Sequence, residues 1–274
     1  MINRGSISDV GSLAWAETGG PPLTAMQSLG QVAGMGMVAL TTFHREVQFT
    51  LSGWGLMPER KLPSIPFPEF PSTRAVDRAL ELLDDYAGSK SPLAAHSYRC
   101  THIASALAKV DEREVDEEAM AVAMLLHDIG LAPRAIEEES ANEFTVRGAQ
   151  IAARALADLG WKRDRIDLVS QIITLHPNTH VSAKRWGAEA HYGRLAPVCD
   201  GFGEAWRLPR NIAAEIFARH PQDAAQAVEM LDTAVSGEAG RQPGGRFSLL
   251  QPIFPPLVRF GCRRWSRVAT RQAP

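Results

Sequence analysis

The chain has few cysteines, no surplus of either charge and no long apolar run. Its three cysteines, Cys100, Cys199 and Cys262, are odd in number and show no C-x-x-C spacing. A disulfide framework is thereby excluded and a reducing compartment expected. Twenty-nine basic and 31 acidic residues leave a formal net charge of −2, so no bulk field recruits nucleic acid or an anionic membrane. The stretch Val32 to Leu40 is too short and too rich in glycine to span a bilayer, and no basic segment followed by a long apolar run opens the chain. No repeat at solenoid spacing is present. These absences predict a cytoplasmic protein with a small-molecule substrate and neither a membrane nor a nucleic-acid partner. The 274 residues, 45% hydrophobic and 22% charged, suit one large soluble domain or two small ones.

What is present divides into three zones. Residues 1–61 read as an irregular N-terminal arm, rich in glycine and threonine. Alternation at Val47, Phe49 and Leu51 hints at a short strand. This arm is expected either to close over a pocket or to pair subunits in a homo-oligomer. A proline-punctuated connector, Leu62 to Pro71, favours an extended path. It opens a helical zone, 62–235, and residues 236–274 read as a loosely ordered tail with Arg259, Arg263, Arg264, Arg267 and Arg271.

Within the helical zone Ser72 can cap a helix carrying Val76, Ala79, Leu80 and Leu83. The next carries His96, Cys100, Ile103 and Leu107 at i, i+4, i+7 and i+11, which puts His96 on the buried stripe. Asp116 is the expected N-cap of a third, aligning Met120, Ala123, Met124 and His127, with Gly130 ending it in a left-handed conformation. A fourth runs from Phe144 to Gly160, and a fifth from near Asp164 to His176, stopped by Pro177. A sixth spans Glu189 to Phe202 with Asp200, and Pro197 implies a kink or late start. Shorter helices cover 211–219 and 222–235. The fold class is all-α.

Two histidines and two aspartates stand out: His96, the adjacent pair His127-Asp128, and Asp200 in Val198-Cys199-Asp200-Gly201. Imidazole nitrogen and carboxylate oxygen are donors that Zn²⁺, Mn²⁺, Fe²⁺ or Co²⁺ accept, and the set does not choose among them. Consecutive helical residues point about 100° apart. His127 and Asp128 can therefore grip one ion only beyond the helix end. Such a site keeps a position for water, whose pKa falls toward ~7 on binding, with Asp128 or Asp200 as proton acceptor.

In this order and context the residues resemble the HD superfamily of metal-dependent hydrolases. Leu125-Leu126-His127-Asp128-Ile129-Gly130 and the His-Ser-x-Arg of residues 96–99 strengthen the likeness, which covers roughly residues 62 to 221. The layout is most similar to the cyanamide hydratase-like subgroup, through Phe144 to Ala149, Leu175-His176, Glu189 and Asp200-Gly201. Thr145 and Arg147 stand where the subgroup usually has acidic residues, and Pro177 where it has threonine. The resemblance implies one metal on His96, His127, Asp128 and Asp200. It also allows a second metal on His176 and His180, or a substrate contact from His176. Arg99 is expected to pair with a metal-bound carboxylate or a substrate anion, and Glu189 either to cap its helix or to join the site. Cys100 and Cys199 read as small buried hydrophobes rather than thiol ligands. His44, His102, His191 and His220 read as packing or surface residues. Three functions follow as expectations: a hydrolase of a small polar substrate, with phosphate esters the generic target; a hydratase adding water to a C≡N group; or a helical sensor domain that has kept its metal.

Overall fold

The computed structural model describes residues 2–58, 61–221, 223–251, 259 and 261. Among these it contains helices and no strand. In chain order they are α1 (Leu13–Ala16), α2 (Ala25–Gly53), α3 (Arg74–Ala87), α4 (Pro92–Val110), α5 (Glu117–Leu126), α6 (Pro133–Glu138), α7 (Phe144–Asp158), α8 (Arg163–Leu175), α9 (Ala183–Trp186), α10 (Ala188–Phe202), α11 (Arg210–Arg219), α12 (Ala224–Arg241) and α13 (Arg246–Leu250). The all-α expectation holds.

The core is organised about α5. Its sequence is apolar all round, and every residue from Ala119 to Leu126 is buried, as for a helix with no wet face. Helices α3, α4 and α8 pack against it, α10 lies against α4 and α8, and α7 packs on α8. Asp116 caps α5, its Oδ1 accepting from the Ala119 N–H at 3.0 Å, and Glu117 and Glu118 place negative charge at the positive end of the helix. The first helix of the bundle is capped by Thr73, not Ser72; the Thr73 hydroxyl accepts from the Val76 N–H.

Two expectations about the ends of the chain, and one about Gly130, need correction. Residues 25–53 form one 29-residue helix, α2, and the proposed strand at Val47 to Leu51 lies inside it. Gly30, Gly34 and Gly36 lower its helix propensity by roughly 1 kcal/mol each relative to alanine, and apolar residues occupy both its faces, which blurs the helical period. A capping box at Thr24 and Gln27 starts it. Gly34 lets it lie close on the body, because a Cβ there would strike Thr179. The boundary at 235 falls inside α12, and Arg246 and Phe247 of α13 are buried, so residues 236–251 belong to the packed body. Arg259 is exposed; Arg263, Arg264, Arg267, Arg271 and Cys262 lie outside the described residues. Gly130 is not left-handed. It sits in a 3-10 turn, Ile129–Leu131, where a Cβ would collide with the Phe144 carbonyl. Glycine is needed there for close approach of α7.

The proline connector docks on α4 through Phe70, which stacks on His102 at 4.3 Å between ring centroids, while His102 Nδ1 donates to the Pro68 carbonyl at 2.8 Å. His220 completes this stack, 3.2 Å from His102. Burial, with the neighbouring His102 and Arg99, lowers the His220 pKa from its ordinary 6.5 to about 4. The unfolded chain therefore takes up this proton first. Stability from this site is full above pH 6.5 and falls as pH drops toward 4. His220→Gln should flatten that part of the stability profile, measured by thermal melts across the range; an unchanged profile would remove His220 as its source.

Candidate metal centre

His127 is the last residue with helical geometry at the end of α5, and Asp128 already leaves the helix at φ −106° and ψ 5°. The two side chains thus diverge around a point past the helix end. His96 enters from α4 and His176 from the end of α8. All four are buried. His96 Nε2 lies 3.3 Å from His127 Nε2. Asp128 Oδ2 lies 3.3 Å from His127 Nε2 and 3.6 Å from His96 Nε2. Its other oxygen lies 3.3 Å from His176 Nε2.

The tautomers follow from the backbone. His127 Nδ1 is 2.7 Å from the Met124 carbonyl and His176 Nδ1 is 2.7 Å from the Ile173 carbonyl. A carbonyl only accepts, so each Nδ1 carries a proton, and Nε2 is the ring atom that faces Asp128 and is left to bind a cation. A positive charge, a proton or a bound cation, has to lie among these atoms, and their separations exceed the ~2.7–3.2 Å of an ordinary N–H···O hydrogen bond. The separations of 3.3–3.6 Å match the ~3.4 Å edge of a tetrahedron whose ligands sit ~2.1 Å from a central ion. The residues present therefore fit a divalent cation. The same field shows in the titration. Burial works against charge on His127, yet Asp128 outweighs it and raises the imidazole pKa. Burial likewise opposes ionisation of Asp128, but His127 and His176 hold its carboxyl well below the usual range.

Asp200, expected as a direct ligand, instead lies behind His96 and outside the donors that face one another, because both its oxygens are engaged by His96 Nδ1 and Arg99. Its Oδ2 is 2.6 Å from His96 Nδ1, and both its oxygens accept from Arg99, at 2.7 Å from Nε and 2.9 Å from the guanidinium tip. Desolvation would raise the Asp200 pKa, but the Arg99 charge dominates and keeps it ionised. Arg99 is thus engaged with a carboxylate of the centre. Cys100 sits 3.6 Å from His96 and within reach of an ion held by His96 and His127, while burial pushes its thiol well up. Cys199 is buried with its thiol pushed up in the same way.

Two expected participants are elsewhere. Glu189 accepts from the Asp116 backbone N–H at 3.0 Å, at the opposite end of α5 from His127. At 1.5 Å per residue that is roughly 16 Å away, so it caps a neighbour and does not face the centre. His180 is exposed and outside the donor cluster, because the chain turns away after Pro177. Thr145 and Arg147 also serve packing. Arg147 donates to Glu238 and to the Gly130 carbonyl, and Thr145 accepts from Arg246.

Above the centre opens a cavity of about 70 Å³. His96, Asp128 and His176 form its polar floor, and Met35, Val38, Leu131, Val198, Phe202 and Phe247 are among its apolar walls. Arg194 also lines it, a residue that sequence reasoning did not single out. Its Nε donates to the Asn178 carbonyl at 3.1 Å and a second nitrogen donates to the Thr179 carbonyl. Burial lowers its pKa to about 10, so it stays cationic at neutral pH. Arg194, Pro197 and Gly201 all line the cavity at i, i+3 and i+7 on α10; that spacing was the available signal.

An all-helical body with imidazoles and carboxylates converging at a helix end defines a metal-binding helical domain. Residues 93–229, half of the chain, match the HD domain model, and the chain belongs to the HD-domain family. HD domains are generally metal-dependent phosphohydrolases and bind divalent metals. No curated protein matches the chain. No helix among the described residues is long and apolar enough to cross a membrane.

Proposed function

We propose that this protein is a metal-dependent hydrolase of a small substrate with an apolar body and one anionic group, a phosphate ester being the generic case. The observation that carries the proposal is the convergence of the Nε2 atoms of His96, His127 and His176 on Asp128 beneath the cavity. His96, His127 and Asp128 would hold the cation, with His176 against the other Asp128 oxygen and Asp200 orienting His96 from behind through Nδ1. A divalent ion bound there would polarise a water at neutral pH and stabilise charge developing on the substrate. Asp128 Oδ1, which faces His176 Nε2, would take up the proton that the attacking water gives up. With its Nδ1 proton committed to Ile173, His176 acts as an acceptor or ligand, which argues against its role as a substrate-polarising donor. Arg194 would receive the anionic group, and the apolar walls would exclude bulk water.

A second reading, cyanamide hydratase-like addition of water to a C≡N group, is favoured by the small and mostly apolar lining with its single arginine. Metal-loaded protein assayed with p-nitrophenyl phosphate and with cyanamide separates the two. Phosphate release abolished in His127→Ala supports the hydrolase. Urea formation supports the hydratase. Bound metal with neither activity supports a sensor domain and overturns both.

Asp200→Asn keeps the shape of the side chain and removes its charge. We expect metal affinity to fall at least ~10-fold, measured by competition with a chromogenic chelator. Unchanged affinity would take Asp200 out of the centre.

A further inference from the structure

Helix α2 has two apolar faces, and among the described residues only one is covered. Met35 and Thr42 are buried on the body, and Val38 lines the metal cavity. On the opposite side Met26, Leu29, Ala33, Gly36, Leu40, Phe43 and Val47 follow one another at intervals of 3, 4, 3, 4, 3 and 4. Met26 is 77% exposed, Leu40 65% and Phe43 68%. A Cβ at Gly36 would meet nothing within 4 Å. This is a heptad seam carried through three repeats, the pattern that two helices bury in each other. A face that merely packed on a globular body would need no 3.5-residue period. The positions beside the seam are Gly30, Val32, Met37, Ala39, His44 and Glu46, so one charge in all faces a second seam of the same sequence.

We propose that α2 pairs with α2 of a second copy of this chain, forming a symmetric helix-on-helix dimer. The helix is about 43 Å long at 1.5 Å per residue. Its exposed apolar side chains offer on the order of 800 Å² per chain, the share that each partner contributes to a standard stable interface. Ala33 and Gly36 leave room for close approach of the two backbones in the N-terminal half, while Leu40, Phe43 and Val47 supply bulk in the other. A lipid surface is the less suitable occupant, because no lysine and no arginine flanks the seam to meet anionic headgroups. Pairing would also clamp α2 over the metal cavity, since Met35 and Val38 on its inner face form part of the wall.

Sedimentation velocity of the full chain at micromolar concentration tests this. The expected species has twice the 29.9 kDa chain mass. Leu40→Glu combined with Phe43→Glu places charge at the centre of the seam, on exposed positions, and should give a monomer with unchanged helical circular dichroism and unchanged metal content. Should that double variant fold poorly, Leu29→Glu alone should weaken the dimer at least ~10-fold. A monomeric wild-type protein overturns the proposal. So does a dimer that persists in the folded charge variants, or a wild-type monomer that floats with phosphatidylcholine vesicles through this face.

Discussion

Asp128→Ala should leave the protein without its metal and lower turnover on the order of 10³-fold or more, because the residues of one catalytic unit fail together. Asp128 faces His96 and His127 through one oxygen and His176 through the other. Its loss leaves three imidazoles and no carboxylate among the donors that face the ion. The melting temperature should fall too, since ion binding to the folded state alone contributes stability. That contribution vanishes in chelator-treated protein, so the gap between wild type and variant should narrow when EDTA is added to both. Elemental analysis and paired melts with and without EDTA measure these effects. A variant that retains stoichiometric metal would show that Asp128 is not at the centre.

Arg246→Met should destabilise the fold by about 3–5 kcal/mol, the cost of leaving a buried carboxylate without its cation. Arg246 is 2% exposed. It donates to Glu143 at 2.9 Å, to the Thr174 carbonyl at 2.8 Å and to the Asn178 side chain at 3.1 Å. The last two flank His176, so the same arginine that anchors α13 also braces the turn carrying a donor of the centre. We expect a lower kcat in the folded fraction as well as a lower denaturation midpoint. Adding Glu143→Gln removes the stranded charge and should recover part of the stability. A loss below about 1 kcal/mol would mean that the segment after residue 236 is not part of the cooperative body.

His127, Asp128 and His176, which the structure brings together with His96, were legible because they lie at helix ends with distinctive neighbours, while the place of Asp200 behind His96 was not, since it depends on how α10 lies against α4. His96 sits on a stripe with Cys100 and Ile103, and Asp116, His127 and Gly130 mark the two ends of α5. Glu189 misled because a glutamate in the first turn of a helix looks the same whether it faces a site or a neighbouring N-terminus; which of the two depends on how α10 lies against α5. Arg194 was hidden because its role comes from a cavity, and a cavity is a property of packing. The N-terminal helix escaped because glycines weakened its local preference while apolar residues on both faces concealed the period. Arg246 was assigned to a tail on the strength of nearby glycine and proline. Its partners, Glu143 and Thr174, are some 100 and 72 residues distant in the chain, and no local pattern reports such a contact.

Anomalous diffraction from a crystal of the protein, collected at the absorption edge of the metal found by elemental analysis, tests the central claim most directly. The account predicts one strong peak about 2.0–2.2 Å from His127 Nε2 and from an Asp128 oxygen, with His96 and His176 in reach. A metal peak elsewhere, or an ordered site that stays empty in protein saturated with Zn²⁺, Mn²⁺ and Fe²⁺ in turn, would contradict it.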